Sequence, residues 1–184
     1  MPRGLVRYRM ASPEQGGTMT SIRNCVLPDD LVYHVERDIW ARSDPDGTLV
    51  LGLTDVGQSR AGHIQVVSYT RRARAGSIVR GDSLAVLESA KWVGPVTSPV
   101  AGSVVAVNEA LLARPKLINL DPYGRGWIAR ERPAPGEVAL LAAEGWTRGQ
   151  AALDLYNAKL RLPFRSVAGV DEDFWCVHCN EWDV

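Results

Sequence analysis

Between residues 30 and 131 the apolar positions fall in short runs separated by turn residues, a pattern of strands more than of helices. Leu31 to Trp40, with Val32, Tyr33, Val35 and Ile39, predicts a strand, and Thr48 to Leu53 predicts a second. Ser43-Asp44-Pro45-Asp46-Gly47 joins them as a hairpin, because Pro45 presets φ and Gly47 tolerates the left-handed region. His63 to Tyr69 predicts a third strand, and the polar connection Thr54 to Gln58 suits a short turn of helix. From Leu84 to Val107 two apolar runs rich in Val, Leu and Ala flank Lys91, with Gly81 and Gly102 at nearly equal distances from it. That symmetry predicts two strands meeting at a turn, with Lys91 displayed at the tip. Asn108 to Ala113 is a short segment that Pro115 stops, and the turn-rich run Asn119 to Gly126 leads into a final strand over Trp127 to Arg130. Short strands at this spacing predict a mainly β sandwich or barrel.

Outside this core the pattern changes. Residues 1–20 hold Arg3, Arg7, Arg9, two adjacent glycines and two prolines without apolar period, and read as a disordered leader in which Met19 offers a second start. Residues 21–132 form the β domain. Past Pro133-Ala134-Pro135-Gly136, residues 133–162 are rich in Ala, Leu, Glu, Lys and Arg and read as a helical extension that Gly145 and Gly149 divide. Residues 163–184 are an acidic, aromatic tail around Cys176-Val177-His178-Cys179.

Composition narrows the function classes. With 21 basic and 21 acidic residues the formal net charge is zero, so no overall field draws the chain to nucleic acid. No window approaches 18 consecutive apolar residues and no signal-type apolar segment opens the chain, which reads as cytoplasmic and not membrane-bound. Arg71, Arg72, Arg74 and Arg80 occur without an acid among residues 71–80, forming either a solvated loop or a positive docking patch. There is no Walker-type loop and no G-x-G-x-x-G between a strand and a helix, so nucleotide chemistry is not indicated. His34, His63 and His178 have no nucleophile elbow nearby. Cys176 and Cys179 have the spacing of half a zinc site or of a redox pair, and would need Cys25 and a histidine to complete a metal set; a packed or unreacted pair is the alternative. Trp92, next to the displayed lysine, either folds back on the hairpin or meets a partner.

The motifs acquire a joint meaning through their order. Gly52-Leu53-Thr54-Asp55-Val56-Gly57-Gln58 resembles the G-I-T-D-x-A-Q run of the glycine cleavage system H protein family, and Ala61-Gly62-His63-Ile64 stands where that family has L-G-D-I. Glu88-Ser89-Ala90-Lys91 resembles its E-S-V-K lipoylation site, and Ser98-Pro99-Val100-Ala101-Gly102 follows at the family's distance. Val107 to Leu111 and Asn119 to Trp127 complete the pattern. The resemblance implies a biotinyl/lipoyl-domain-like β sandwich (barrel-sandwich hybrid), followed here by C-terminal helices and a tail. It implies lipoate in amide linkage on Lys91, with Glu88, Ser89 and Trp92 as its neighbours, and a carrier with no catalytic residues of its own. A lipoate-protein ligase or lipoyl transferase would attach the arm. Biotin is disfavoured, since biotin carriers flank the lysine with methionines.

Three departures bear on the customers: Trp92-Val93-Gly94-Pro95 replaces the family's small residues and acid after the lysine, the loop before the hairpin is basic instead of acidic, and a C-terminal extension carries the C-x-x-C of Cys176 and Cys179. They are similar to H-like lipoate-binding proteins of the heterodisulfide-reductase-like sulfur oxidation pathway, which implies sulfur intermediates and partners among heterodisulfide-reductase-like complex subunits. The alternatives are an H protein carrying the aminomethyl group between glycine decarboxylase, aminomethyltransferase and dihydrolipoyl dehydrogenase, or a scaffold that keeps the fold without lipoate.

Overall fold

The computed structural model describes residues 19–23 and 25–161, and in them antiparallel strands dominate. A hairpin of β1 (Met19–Ile22) and β2 (Cys25–Pro28) comes first, so regular structure begins at the very end of the expected leader. The rest of that leader and the expected tail lie outside the described residues. The apolar run from Leu31, expected as one strand, is two: β3 (Val32–His34) and β4 (Ile39–Ser43), paired antiparallel through Tyr33 and Trp40. A single 3-10 turn at Val35–Arg37 and Asp38 at φ 55° reverse the chain between them. A left-handed aspartate is uncommon, and here long-range partners hold it. Its carboxylate takes Arg60 at 2.6 Å and Lys159 at 2.8 Å, and its carbonyl accepts the Thr54 amide at 2.8 Å.

Past the expected turn, β5 (Leu49–Leu53) returns beside β4 in the register Ile39 to Leu53. Thr54 then caps α1 (Asp55–Ala61), its hydroxyl accepting the Gly57 amide at 3.0 Å with Asp55 in the first turn. β6 (Ile64–Tyr69), α2 (Arg71–Ala75), β7 (Ser77–Ile78), β8 (Ser83–Ser89), β9 (Val93–Thr97) and β10 (Gly102–Val107) follow. Two one-turn helices, α3 (Ala110–Ala113) and α4 (Leu117–Leu120), precede β11 (Ala129–Pro133), and α5 (Glu137–Leu140), β12 (Trp146–Thr147) and α6 (Gly149–Arg161) end the described chain. The stretch expected to be helical thus includes a short strand, because Trp146 and Thr147 pair with His34 and Tyr33 at the edge of the larger sheet.

The larger sheet has the order β12-β3-β4-β5-β11-β10-β7, and the smaller β6-β8-β9. Between them lies the main core, to which the larger sheet gives Leu49, Leu51 and Ala129 and the smaller gives Ile64, Leu87 and Val96. This is the expected β sandwich. A second cluster packs Tyr33, Trp40 and Val56 against Ile22 and Leu27 of the first hairpin and Ala152, Tyr156 and Leu160 of α6. The three α6 residues recur at helical spacing on one buried face.

The arginine segment is not a uniform positive patch. Arg80 is held by Glu137 at 2.7 Å and Glu144 at 2.5 Å, and Arg74 reaches Glu109 at 3.1 Å, while Arg71 and Arg72 are exposed. Acids from distant positions neutralise half of what looked basic in sequence.

Glu131 is an anomaly of the core. It is fully buried on β11, and neither carboxyl oxygen has a hydrogen-bond partner among the described residues. Burial raises its pKa to about 8, with the nearby Ser98 hydroxyl a smaller opposing influence. Ser98 spends its own hydroxyl hydrogen on the Val100 carbonyl at 2.7 Å.

Candidate functional site

The second apolar run beside Lys91, expected as one strand to Val107, breaks after Thr97, and its remainder, β10, joins the larger sheet. β8 and β9 form a hairpin at the expected place, with Glu88 opposite Val93 and the Ser89 amide donating to the Trp92 carbonyl at 2.8 Å. Ser89-Ala90-Lys91-Trp92 is therefore a four-residue tip, and Lys91 stands exposed on it. No carboxylate among the described residues pairs with its ammonium group within ion-pair distance, which leaves the amine to solvent.

The tip is short but strongly tied. The Ser89 hydroxyl accepts the backbone N–H of Lys91 at 3.3 Å and of Trp92 at 3.1 Å, and donates to the Ala61 carbonyl at 2.6 Å. One side chain thus satisfies two turn amides and pins the hairpin to the end of α1. The Lys91 stem lies across Gly62, where a Cβ would stand 3.1 Å from Lys91 Cε. Gly62 also has φ +80°, which side-chain-bearing residues rarely adopt.

Glu88 and Trp92 leave the hairpin on opposite faces. Leu87 is buried, so the alternation of β8 sends Glu88 outward, in one cross-strand row with Val66 and Val93. Val66 and Val93 are 44% and 64% exposed, which makes the outer face beside Lys91 apolar with one acid at its middle. Trp92 turns inward. Its indole covers Gly94 so closely that a Cβ there would collide with the ring, and it packs against the main core. Of the two sequence readings for Trp92, the folded-back one is observed. Gly94→Ala is expected to push the indole off β9 at a cost of about 2 kcal/mol, as overpacked sites typically do. Urea unfolding and the shift of the Trp92 indole N–H resonance would check this; an unchanged midpoint and resonance would refute it.

β9 is an edge strand of its sheet, and Pro95 on it is exposed. A proline there withholds a backbone donor from any incoming strand, which guards the edge next to the lysine.

The other sequence candidates are scattered. His34 is half-buried, edge-on to Trp146 at 5.6 Å, and burial, aided by Arg37, lowers its pKa. His63 is exposed beside the tip. Cys25 is fully buried next to Ser59, 3.6 Å away, and so is removed from any surface metal site. Cys176, His178 and Cys179 lie outside the described residues. Among the described residues no group of three His, Cys, Asp or Glu side chains is arranged to hold a metal, and no helix is long and apolar enough to cross a membrane.

Sequence reasoning passed over Gly62 as a contact of the lysine, and it passed over Asn119. The latter is fully buried, donating to the Gly62 carbonyl at 3.0 Å and to Gln58 Oε1 at 2.9 Å while accepting the Ile64 amide at 2.9 Å. Both residues sit inside motifs already quoted, but nothing in their spacing reveals that the motifs meet beneath Lys91.

Comparisons with known proteins agree with this geometry. Residues 31–146 match the family described as Glycine cleavage H-protein. Glycine cleavage system H protein 2 of Aquifex aeolicus is 45% identical over 112 residues, covering 61% of this chain and 68% of the relative. A protein named Probable glycine cleavage system H protein 2, of Saccharolobus solfataricus, is 37% identical over 71% of this chain and 85% of its own length. The crystal structure of a glycine cleavage system H protein from Mycobacterium marinum superposes with a TM-score of 0.58 at 27% identity, covering 71% of this chain and 99% of that one. An exposed lysine on a pinned hairpin and a family match over most of the β domain lead to one conclusion: the chain belongs to the glycine cleavage H-protein family, lipoyl carriers that serve enzymes without being catalysts themselves.

Proposed function

We propose that this protein carries lipoate on Lys91 and ferries bound intermediates between partner active sites. The observation that carries the reading is the tip itself: an exposed amine with no acidic partner among the described residues, on a turn whose backbone Ser89 holds in place. The residues fit the group. Lys91 Nζ, once deprotonated, attacks an activated lipoyl carboxyl carbon; the amide bond forms as the bond to the activating group breaks. Attached lipoate supplies a dithiolane at the end of a long flexible arm, able to accept and pass on groups or electrons. The chain's contribution is to fix the root of that arm. A rigid root gives the arm's end a high effective concentration within its reach. Glu88, between Val66 and Val93, offers an attaching enzyme an apolar face with one acidic point. The expected setting remains the cytoplasm.

Glycine decarboxylase, aminomethyltransferase and dihydrolipoyl dehydrogenase are the customers best supported, because the relatives reported above are named for glycine cleavage. One observation favours a second reading, sulfur transfer with heterodisulfide-reductase-like subunits: Trp92-Val93-Gly94-Pro95 alters the surface next to the lysine, and Trp92 and Gly94 pack as a unit. The two readings separate in reconstitution. The lipoylated full chain, supplied with the glycine-cleavage partners, should support glycine decarboxylation at a rate comparable to that with their own H protein. Failure there, together with reduction of the arm by heterodisulfide-reductase-like subunits, would overturn the glycine reading in favour of the sulfur one. A chain that no lipoate ligase modifies would overturn both and leave the scaffold.

A further inference from the structure

The loop between α1 and β6 runs directly beneath the lysine tip. Its first carbonyl, that of Ala61, takes the Ser89 hydroxyl; Gly62 lies under the Lys91 stem; and Ile64 stands opposite Ser89 in the register of β6 and β8. This stretch is the floor on which the tip rests. The Gly62 backbone at φ +80° is one of several conformations open to a glycine, so something else must select it.

Asn119 on α4 does so. Its Oδ1 accepts the Ile64 amide and its Nδ2 donates to the Gly62 carbonyl, clamping the floor at two points beyond the one Ser89 holds. Its remaining Nδ2 hydrogen goes to Gln58 Oε1, and Gln58 Nε2 in turn reaches Asp55 Oδ1 at 2.6 Å. Contact between α1 and α4 alone would be served by an apolar side chain at lower desolvation cost. A fully buried amide whose hydrogen bonds all go to the floor and to the helix before it specifies a conformation instead.

We propose that Asn119 is a positioning residue for Lys91: it fixes the Ala61 to Ile64 loop as the seat of the hairpin tip, with Gly62 supplying clearance for the lysine stem. The inference rests on Lys91 being the attachment point. With the seat fixed, an attaching enzyme meets the lysine root in one orientation; with it loose, the enzyme must order the tip during the encounter, and attachment slows.

The test uses the full, unmodified chain and two independent readouts: hydrogen exchange at the amides of Ser89, Lys91 and Trp92, and the rate of lipoate attachment by a lipoate-protein ligase. Asn108→Leu serves as the control. Asn108 is also buried and donates to the carbonyls of Arg125 and Trp127 at 2.8 and 2.7 Å, and its own carbonyl meets Tyr69 at the far end of β6. Asn119→Leu should speed tip exchange and lower kcat/KM for attachment, each about tenfold, the size expected for losing one or two buried hydrogen bonds. Asn108→Leu should leave both within about twofold, since it is remote from the tip. Should Asn119→Leu fail to fold, Gly62→Ala replaces it, with the same tip-selective loosening expected. Tip exchange unchanged in the seat variants, or equal losses in the control, would overturn the proposal. If the wild-type chain accepts no lipoate, the carrier reading falls, and the exchange measurement still decides whether Asn119 holds the seat.

Discussion

Lys91→Arg is expected to abolish lipoate attachment while leaving the fold untouched. Amide formation needs a neutral amine, and a guanidinium remains protonated at any pH the ligase tolerates, so the loss should be complete and not graded. Lys91 is exposed, without an acidic partner among the described residues, so the substitution should change stability by no more than about 0.5 kcal/mol. The chain has two other lysines, Lys116 and Lys159, and the structure says why neither should substitute. Lys159 donates to the Val35 carbonyl at 2.6 Å and to Asp38 at 2.8 Å, which ties down its amine. Lys116 is exposed but precedes the one-turn helix α4, with no hairpin to present it. After co-expression with a lipoate ligase, intact-mass measurement should find one lipoyl addition on the wild type and on Lys116→Arg, and none on Lys91→Arg. Modification that survives Lys91→Arg would remove Lys91 as the attachment point.

The second large effect concerns stability. Glu131→Gln is expected to stabilise the protein at alkaline pH and to flatten its dependence on pH. Burial pushes the folded-state carboxyl from its ordinary 4.5 up to about 8. Between those values the folded chain keeps a proton that the unfolded chain has lost, so stability falls as pH rises from about 4.5 and levels off only above about 8. At roughly 1.4 kcal/mol per pH unit, the accumulated cost above that point is on the order of 5 kcal/mol. Glutamine keeps the shape and cannot ionise. At pH 8.5 its melting temperature should exceed that of the wild type by roughly 10 °C, the gap closing toward pH 5. Other groups with shifted titration, His34, Asp46 and Glu137 among them, tilt both curves alike and drop out of the difference. Parallel curves for the two proteins would mean that Glu131 is solvated or paired in solution.

What could be read from the sequence, and what could not, divides along the range of the interactions. The lysine tip was legible because its cause is local: two β-rich runs and a turn carry their own pattern, and the ordered motifs tied them to a family. The β3–β4 pair reads in the sequence as one long strand because the reversal at Asp38 depends on Arg60 and Lys159, the latter 121 positions away. The same distance problem hid the neutralisation of Arg80, whose acids lie 57 and 64 positions on. Trp92 could not be assigned a side, because that depends on whether its alternation continues into β9, and the companion signal, a glycine two positions later, has many other uses. Glu131 sits in Arg-Glu-Arg, which looks like a solvated face; only the pairing of β11 with β5 and β10 turns its middle residue into the core.

The second apolar cluster sets a practical boundary on the protein. The family match spans residues 31–146, yet Tyr33, Trp40 and Val56 within it are covered by Ile22 and Leu27 before it and by Ala152, Tyr156 and Leu160 after it. A chain trimmed to the matched span would therefore expose two large aromatic rings and a valine at once, a sticky face of the kind that drives self-association. The smallest well-behaved carrier that can be cut from this sequence should run from β1 to the end of α6, and shorter versions made for binding studies would report their own clumping before they reported any partner.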